Sequence, residues 1–352
     1  DGQITWQKMQ GQVYGPSMQK ATLFPGVARF LFRCKLKGHT VFIVSHKTKY
    51  GHYDKTKTLL REASLKWMDS QGFFKDDLFG INRKNIFFAN TQSEKVLKIK
   101  SLNLDVFVDD LEEIFLHHDF PEIKKIHFSS SSSIHNDVEL CNNWTDIEKF
   151  SIGDIDNSEI KNLVNTIYDE SIDSVERLRG RGNSRIYKLT LSKENSILLK
   201  DYPDLSIDPR PRMQTEVNAL ELTESLGKTP KVIAFDKSQN IALYEWIKGK
   251  SLFKIEDNHI IQALNFIESL QSLKGKESWS QASEACFSAK QLLTQINYRF
   301  DRLLKIKNKD LNDFLILTFK PLLSKVWGNT EKNWPIDNLE KELPKSMHVL
   351  NP

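Results

Sequence analysis

RGRGNSRIYKL, at residues 179–189, and ILLK, at residues 197–200, are the stretches of this sequence that decide the fold. The pattern predicts two strands joined by a tight turn, followed by a third strand that ends on Lys200. Gly180 and Gly182 can adopt positive φ angles without steric cost, so the turn can direct several backbone N–H groups toward one point. A turn of this kind, with a lysine on the neighbouring strand, indicates a site for phosphate oxygens.

The structural alternative is that the turn is an ordinary hairpin and the lysine a surface charge, because Gly and Asn are common in any tight hairpin. Two downstream features favour the functional interpretation. Residues 215–220 begin a predicted helix with an acid, Glu216, near its start. Residues 229–235 and 241–247 then predict two further strands, the second of which leads into a hinge.

In this order the parts resemble the aminoglycoside phosphotransferase and choline kinase family, a small-molecule branch of the kinase fold. The resemblance implies that Lys200 meets the nucleotide phosphates and that Glu216 is the carboxylate holding that lysine. The implied phosphate loop comprises Gly180, Gly182, Asn183 and Ser184. The implied adenine-binding hinge comprises Glu245, Trp246 and Ile247.

The resemblance extends from about residue 158 to the end of the sequence. It implies ATP-dependent phosphoryl transfer, with Mg²⁺, to a hydroxyl of a small-molecule acceptor that the sequence does not name. Three long amphipathic helices are predicted after the hinge, at residues 255–273, 285–306 and 310–326. No catalytic loop of the family's type occurs before Pro352, so we expect the natural chain to continue beyond it.

Length and composition limit the class of protein. A chain of 352 residues with 39% hydrophobic and 27% charged residues is typical of a soluble protein with two domains. The 50 basic and 46 acidic residues nearly balance, so we expect no nucleic-acid partner. Three cysteines are too few for a disulfide framework, and neither a membrane-spanning run nor a leader sequence is recognisable. We therefore expect a cytoplasmic protein.

The first third of the chain alternates between helices and apolar strands. The predicted strands lie at residues 39–45, 85–89, 105–110 and 125–128. The predicted helices between and before them lie at residues 27–37, 54–71 and 93–100. Because buried parallel strands are continuously apolar, this alternation predicts a doubly wound parallel sheet covered by helices.

Polar residues sit where ligands bind in such a sheet, near the carboxyl ends of the strands. Ser45 closes one strand, Lys95 begins the helix after another, and Asp109 and Asp110 close a third. A hydroxyl and an ammonium suit phosphate oxygens, and paired carboxylates suit Mg²⁺. The structural alternative is that Ser45 is a turn residue, that Lys95 is a solvated helix lysine, and that Asp109 and Asp110 cap the following helix.

This set resembles the haloacid dehalogenase superfamily of phosphatases over about residues 1–129. The resemblance implies that Ser45, Lys95 and the pair Asp109 and Asp110 are its second, third and fourth motifs. It makes Asp1 the general acid/base of the first motif, and we expect the nucleophilic Asp to precede residue 1. His46, His52, His117 and His118 have no metal-ligand spacing and are interpreted as surface or packing residues.

The predicted organisation is a haloacid-dehalogenase-like α/β domain at residues 1–133, a Ser- and Asn-rich linker at 134–157, and an α+β kinase-like domain at 158–352. The kinase-like part would comprise the amino-terminal lobe and the helical start of the carboxy-terminal lobe. The first functional hypothesis is a small-molecule kinase. The alternatives are a Mg²⁺-dependent phosphomonoesterase with a ligand-binding kinase-like module, and a non-catalytic regulatory or binding protein.

Overall fold

The computed structural model describes residues 2–51, 53, 57–130, 137–179, 184–192, 195–249, 252–273, 289–306 and 308–333. The described helices are α1 (Gly2–Tyr14), α2 (Val27–Leu36), α3 (Leu60–Ser70), α4 (Gln92–Ser101), α5 (Glu112–Phe115), α6 (Trp144–Ile152), α7 (Asn157–Asn165), α8 (Arg212–Thr223), α9 (Asp257–Ser272), α10 (Ala289–Leu304), α11 (Lys309–Phe314) and α12 (Lys320–Asn333). The described strands are β1 (Ile43–His46), β2 (Ile86–Ala89), β3 (Val106–Asp109), β4 (Lys124–Phe128), β5 (Val138–Cys141), β6 (Ile172–Leu178), β7 (Arg185–Leu191), β8 (Ser196–Asp201), β9 (Val232–Asp236) and β10 (Ile241–Glu245). The fold is mixed α/β, as predicted at that level.

The chain divides into two compact units. The first consists of Asp1–Met213 and Val232–Ile247, and the second of Gln214–Lys231 and Lys248–Pro352. The predicted boundaries at residues 133 and 158 therefore both fall within the first unit, where the α/β segment and the five strands from β6 to β10 occur together. The division into a phosphatase-like and a kinase-like domain stays a prediction.

The strands on either side of the Gly-rich turn belong to a five-stranded antiparallel sheet with the order β6-β7-β8-β10-β9. β6, β7 and β8 follow one another as hairpins. β9 and β10 form a further hairpin, and β10 pairs with β8. Because α8 occurs between β8 and β9 in the chain, the strand after the helix becomes the sheet edge and β10 becomes an inner strand.

The strands of the amino-terminal third are parallel, as the apolar pattern predicts. In the described part of the chain they form two sheets, one of β1 and β2 and one in the order β3-β4-β5. Val96 and Ile99 of α4 are buried in one apolar cluster with Val44 of β1 and Phe107 of β3. A single doubly wound sheet is therefore not observed, and the predicted haloacid-dehalogenase-like domain remains a hypothesis.

The larger apolar core joins the amino-terminal helices to the five-stranded sheet. Leu31 and Phe32 of α2 and Leu163 of α7 are buried with Leu189 of β7 and Leu199 of β8. Alternation along the strands explains which residues reach this core, since every second residue of β7 and β8 is buried. Burial of this apolar surface is the main stabilising contribution to the first unit.

The segment predicted to be a linker contains regular structure. Its described residues include β5 and α6, and the side chain of Asn143 caps α6 by accepting the backbone N–H of Asp146 at 2.8 Å. Ile147 of α6 is fully buried. The composition of this segment gave little sign of this because β5 and α6 are too short to show a clear hydrophobic period.

The first residues also differ from expectation. The sequence pattern predicts no helix before residue 27, but α1 runs from Gly2 to Tyr14. Trp6 and Met9 of α1 are exposed, and the buried residue of this helix is Gly11. The helix therefore has no apolar stripe, which explains why a periodicity argument does not find it.

The described residues of the second unit form helices and the connections between them. One helix was predicted over residues 310–326, and the structure has α11 and α12 separated by a π-helical turn at Leu315–Phe319. Phe319 stacks on Phe300 of α10 with ring centroids 6.0 Å apart, and Leu315 is buried. The helices that the structure describes are all too short or too polar to cross a membrane.

The shared core leads to a prediction about cooperativity. Phe32→Ala in α2 and Leu199→Ala in β8 should each lower the free energy of unfolding by about 3 kcal/mol, because each leaves a cavity in the same core. Denaturant unfolding followed by two probes should keep one coincident transition for the first unit. Leu97→Ala, at an α4 residue that is 54% exposed, is the control and should change stability by less than about 0.5 kcal/mol. Separate transitions for α2 and the sheet would contradict the prediction.

Candidate functional site

Lys200 lies in β8, the central strand of the five-stranded sheet, and is partly buried. It is paired with Ile186 of β7 on one side and with Ala242 of β10 on the other. Because side chains alternate along a strand, its neighbours Leu199 and Asp201 turn to the opposite face, where they are buried. The sheet thus holds the lysine on one face while its neighbours anchor the strand on the other.

The Gly-rich turn connects β6 to β7 at the strand end nearest this lysine. Leu178, the last residue of β6, pairs with Ile186, and Ile186 pairs with Lys200. Ser184 forms a bend directly before β7. Three predicted loop residues lie outside the described residues: Gly180, Gly182 and Asn183. The register of the flanking strands therefore brings both ends of the turn to the lysine.

The predicted hinge follows β10 at the other end of the same sheet. Glu245 pairs with Ile197, which lies three residues before the lysine of β8. At about 3.3 Å per residue, the hinge and the lysine are separated by about 10 Å along the strand. Glu245 and Ile247 are exposed, and Trp246 is partly buried with its ring centroid 5.1 Å from Nζ of Lys188.

Two tyrosines support the strand around the lysine. The Lys200 Nζ atom lies 5.0 Å from the centroid of the Tyr202 ring. The hydroxyl of Tyr202 shares a 2.6 Å hydrogen bond with that of Tyr244 on β10, and both tyrosines are buried. Such a cation–π contact holds the ammonium group without removing its positive charge.

Glu216 lies in α8 and is partly buried. It belongs to the second compact unit, whereas Lys200 belongs to the first. Its predicted role as the partner carboxylate therefore stays a prediction.

Asp201 is a buried ionic centre that the sequence reasoning missed. Its carboxylate accepts two hydrogen bonds from Arg29 of α2, at 2.7 and 3.1 Å, and forms an ion pair with Arg185 of β7 at 2.7 Å. Asp201 is only 2% exposed. Burial alone lowers the pKa of Arg29, but the negative charges of Asp201 and Glu148 and the hydrogen bonding to Asp201 together outweigh it, so the net pKa is raised. No spacing pattern could have linked Arg29 to a carboxylate 172 residues away.

A second buried arginine follows one helical turn later. Arg33 donates two hydrogen bonds to Glu159 of α7, at 2.9 and 3.1 Å, and one to Glu148 of α6, at 2.7 Å. All three side chains are at least nine-tenths buried. α2 therefore makes two separate ionic contacts, Arg29 to the sheet and Arg33 to the neighbouring helices.

A cavity of about 290 Å³ adjoins the first of these contacts, lined in part by Arg29, Arg185 and Asp201. Gly26, directly before α2, also lines it and has a φ of 85°. A side chain at Gly26 would bring its Cβ against the Asp204 carboxylate and to 2.8 Å from the Cβ of Trp144, so this position requires glycine.

Lys95 and Asp109 form the centre of the predicted phosphatase site. The Lys95 ammonium contacts the Asp109 carboxylate, and both side chains are more than nine-tenths buried. The other oxygen of Asp109 accepts the backbone N–H of Leu111 at 3.1 Å. Burial raises the pKa of Asp109, and the positive charge of Lys95 only partly offsets this.

The remaining predicted members of this site are less closely connected. Asp110 is exposed, and its backbone carbonyl lies 3.2 Å from the His127 ring nitrogen. Ser45 lies near the carboxyl end of β1, and in the described part of the chain no hydrogen bond joins it to Lys95 or Asp109. Asp1 lies outside the described residues. The exposed carboxylate of Asp110 is the more accessible candidate for Mg²⁺.

Two of the histidines interpreted as surface residues lie close to an acid. Donor atoms of His117, His118 and Asp119 fall within 4.8 Å of one another. Nδ1 of His117 accepts the backbone N–H of Asp119, and its Nε2 contacts the hydroxyl of Ser93. Both ring nitrogens of His117 are thus engaged, which leaves no free lone pair for a metal on that ring.

No protein-family model and no curated protein matches this chain. Among solved structures, it is similar to the choline kinase LicA from Streptococcus pneumoniae, with 18% identity over 50% of this chain and 56% of that chain and a TM-score of 0.33. It is also similar to LicA in complex with AMP, with 19% identity over 48% of this chain and 57% of that chain and a TM-score of 0.29. The chain thus spans little more than half the length of these structures. Similarity at this level carries no argument about activity.

The buried lysine–aspartate contact generates a test of stability. Lys95→Met should lower the free energy of unfolding by about 3 kcal/mol near pH 8, because it leaves the Asp109 carboxylate buried without its partner. The already raised pKa of Asp109 should rise further, so lowering the pH from 8 toward 5 should increasingly protonate it in the folded state and recover part of the loss.

The control is Lys100→Met on the same helix. Lys100 pairs with Asp119 at 3.5 Å with both side chains well exposed, so its loss should cost less than about 1 kcal/mol at either pH. Urea unfolding at both pH values measures the difference. An equal loss for the two variants would rule out a stabilising role for the buried contact.

Proposed function

We propose that this chain binds ATP along β8 and transfers its γ-phosphoryl group to a hydroxyl of a small molecule. The observation that carries the proposal is the position of Lys200. It lies on the central strand β8 and pairs with Ile186, the second residue of β7 after the predicted Gly-rich turn. Along β8 it is about 10 Å from the residue that pairs with the start of the hinge. A cation between these two ends suits the α- and β-phosphates of a nucleotide whose base is at the hinge.

The order of the sheet supports the same interpretation. The hairpin that contains the turn is followed by the lysine strand, and the strand that enters the hinge pairs directly with the lysine strand. The backbone at Trp246 and Ile247 follows Glu245, the last residue of β10 that pairs with β8, so these two residues lie beyond the β8 ladder. Their backbone N–H and C=O groups are the ones that would meet an adenine edge.

Charge on this face of the sheet also suits a polyphosphate. Alternation places Lys188 of β7 on the same face as Lys200, because Lys188 pairs with Leu198 and Ile186 pairs with Lys200. Two ammonium groups there would offset the phosphate charge. Positioning and charge neutralisation provide most of the rate enhancement in phosphoryl transfer.

In the proposed reaction, Lys200 would orient the α- and β-phosphates and the backbone of the Gly-rich turn would hold the phosphate oxygens. ATP supplies the phosphoryl group, and Mg²⁺ would neutralise charge on its phosphates. The role of Glu216 as the carboxylate that orients the lysine rests on the family resemblance alone.

Lys200→Met tests the nucleotide site. The substitution removes the charge that meets the phosphates and keeps a side chain of similar length, so ATP binding should weaken by about 100-fold or more while the fold is retained. Glu216→Gln should show a milder loss. Calorimetric titration with Mg·ATP and circular dichroism measure the two effects. The control is Lys161→Met in α7. The Lys161 ammonium donates a hydrogen bond to the backbone carbonyl of Asp173, so its loss should leave ATP binding unchanged. Wild-type affinity in Lys200→Met would contradict the assignment.

Turnover distinguishes the kinase hypothesis from its alternatives. The natural protein should transfer phosphate from ATP to one class among amino alcohols, sugars and aminoglycosides. Nucleotide binding without transfer to any acceptor would favour the regulatory alternative. Acceptor-independent release of phosphate from monoesters would favour the hydrolase alternative.

A phosphomonoesterase activity is the second candidate function, favoured by the contact between Lys95 and Asp109. This lysine fixes a buried carboxylate at the end of β3, while the adjacent Asp110 stays exposed and could bind Mg²⁺. The general acid/base role of Asp1 and the phosphate-binding role of Ser45 rest on the family resemblance.

Hydrolysis of p-nitrophenyl phosphate by the natural protein tests this candidate. Activity should require Mg²⁺ and should be lost in Asp110→Asn, because the amide is a weaker ligand for a hard divalent cation. Asp105→Asn is the matched control, since Asp105 is an exposed acid directly before the same strand. Activity that survives a chelator would place the hydrolysis at another site.

A further inference from the structure

The carboxylate of Asp201 joins three separate parts of the first unit. It is the last residue of β8, directly after Lys200, and it is 2% exposed. Its two oxygens accept hydrogen bonds from Arg29 at 2.7 and 3.1 Å, and one of them also pairs with Arg185 at 2.7 Å. A buried carboxylate with two arginine partners is restrained in both position and orientation.

Arg185 connects this centre to the predicted phosphate loop. It is the first residue of β7, separated from the Gly-rich turn only by Ser184. It is also the residue that pairs with Asp201 across the β7–β8 ladder. The ion pair therefore reinforces the last rung of the ladder, where the turn enters the sheet.

Arg29 connects the same centre to the amino-terminal segment. It lies in the first turns of α2 and is 9% exposed, and one of its terminal nitrogens also lies 3.4 Å from the Gln239 carbonyl in the β9–β10 turn. α2 is itself fixed by its apolar contacts in the core and by the contacts of Arg33 with Glu148 and Glu159. Arg29 thus extends from a rigid helix to the end of β8.

We propose that Arg29 is a positioning residue for the phosphate end of the nucleotide site, acting through Asp201 and Arg185 to hold the end of the β7–β8 ladder beside Lys200. The inference rests on the proposed nucleotide site and deepens it. Arg29 is on the face of the sheet opposite Lys200, so it would not touch the nucleotide. The amino-terminal segment would thereby set the affinity for the phosphates.

The geometry makes this effect selective. The Asp201 centre lies at the turn end of β8, whereas the hinge follows Glu245, which pairs with Ile197 at the other end. Displacement of β7 and β8 at the Asp201 end should alter contacts with phosphates and leave contacts with the adenosine part nearly unchanged. General destabilisation of the unit would weaken both.

Arg29→Lys is the first test because it keeps the charge in the buried site but cannot make the two-pronged contact with Asp201. Titration with ATP, ADP and adenosine should show ATP and ADP affinity reduced by about 10-fold and adenosine affinity within about twofold of wild type. Arg83→Lys is the control, an arginine outside α2 whose guanidinium pairs with Asp69 at 2.7 Å on the protein surface. Its ratio of ATP to adenosine affinity should equal that of wild type.

A second variant guards against a folding defect. Arg185→Gln should reproduce the selective loss of ATP affinity, and the double variant Arg29→Lys/Arg185→Gln should lose less than the product of the single losses, because both act through one carboxylate. Equal losses for ATP and adenosine, an unchanged ratio in Arg29→Lys, or fully multiplicative losses would overturn the proposal. If wild type does not bind ATP, or binds it regardless of Lys200, the proposed nucleotide site itself fails and the positioning role with it.

Discussion

The alternation of side chains along β8 is the constraint on which the rest of the first unit depends. Ile197, Leu199 and Asp201 turn to one face, where two enter the apolar core and the third accepts two arginines. Lys200 turns to the other face. A shift of one residue in the register of this strand would bury the lysine among leucines and move the carboxylate away from Arg29, which would leave that arginine buried without its partner. The core therefore fixes the site that Lys200 occupies.

The contribution of the amino-terminal segment follows from the same strand. α2 and α7 cover the face of the sheet that carries Leu199, and their buried side chains belong to one cluster with those of β7 and β10. Without them this face of the sheet would expose its apolar residues to water. The segment predicted to be an independent phosphatase-like domain thus also provides the inner layer beneath the predicted nucleotide site. A structural role of this kind is compatible with either a catalytic or a non-catalytic Lys95 and Asp109.

Local patterns in the sequence predicted much of the fold. The β6–β7 and β9–β10 hairpins and the strand ending near Lys200 follow from alternation and turn residues, which act between near neighbours. The parallel strands β1 to β4 follow from continuous apolar runs. α1 was missed because its exposed Trp6 and Met9 give no amphipathic signal, and the regular structure within the predicted linker was missed because β5 and α6 are short.

The candidate site was predictable only in part, for a physical reason. Ile186, just after the predicted phosphate loop, and Lys200 belong to neighbouring strands whose register follows from one hairpin after another. The pairing of Lys95 with Asp109 spans 14 residues and could be expected from the alternation of strand and helix. The contact of Arg29 with Asp201 spans 172 residues and depends on how α2 packs on the sheet. Such a contact leaves no period or motif in a single sequence.

The shared carboxylate also limits how this protein can change during evolution. Loss of either arginine leaves the buried Asp201 carboxylate with only one positively charged partner. Loss of the aspartate leaves the Arg29 guanidinium buried without its negatively charged partner. Single substitutions at these positions are therefore disfavoured, whereas a joint replacement of the set by apolar residues of similar volume is tolerable. Among related chains, the residues at positions 29, 185 and 201 should consequently change together and not independently, although they are far apart in the sequence.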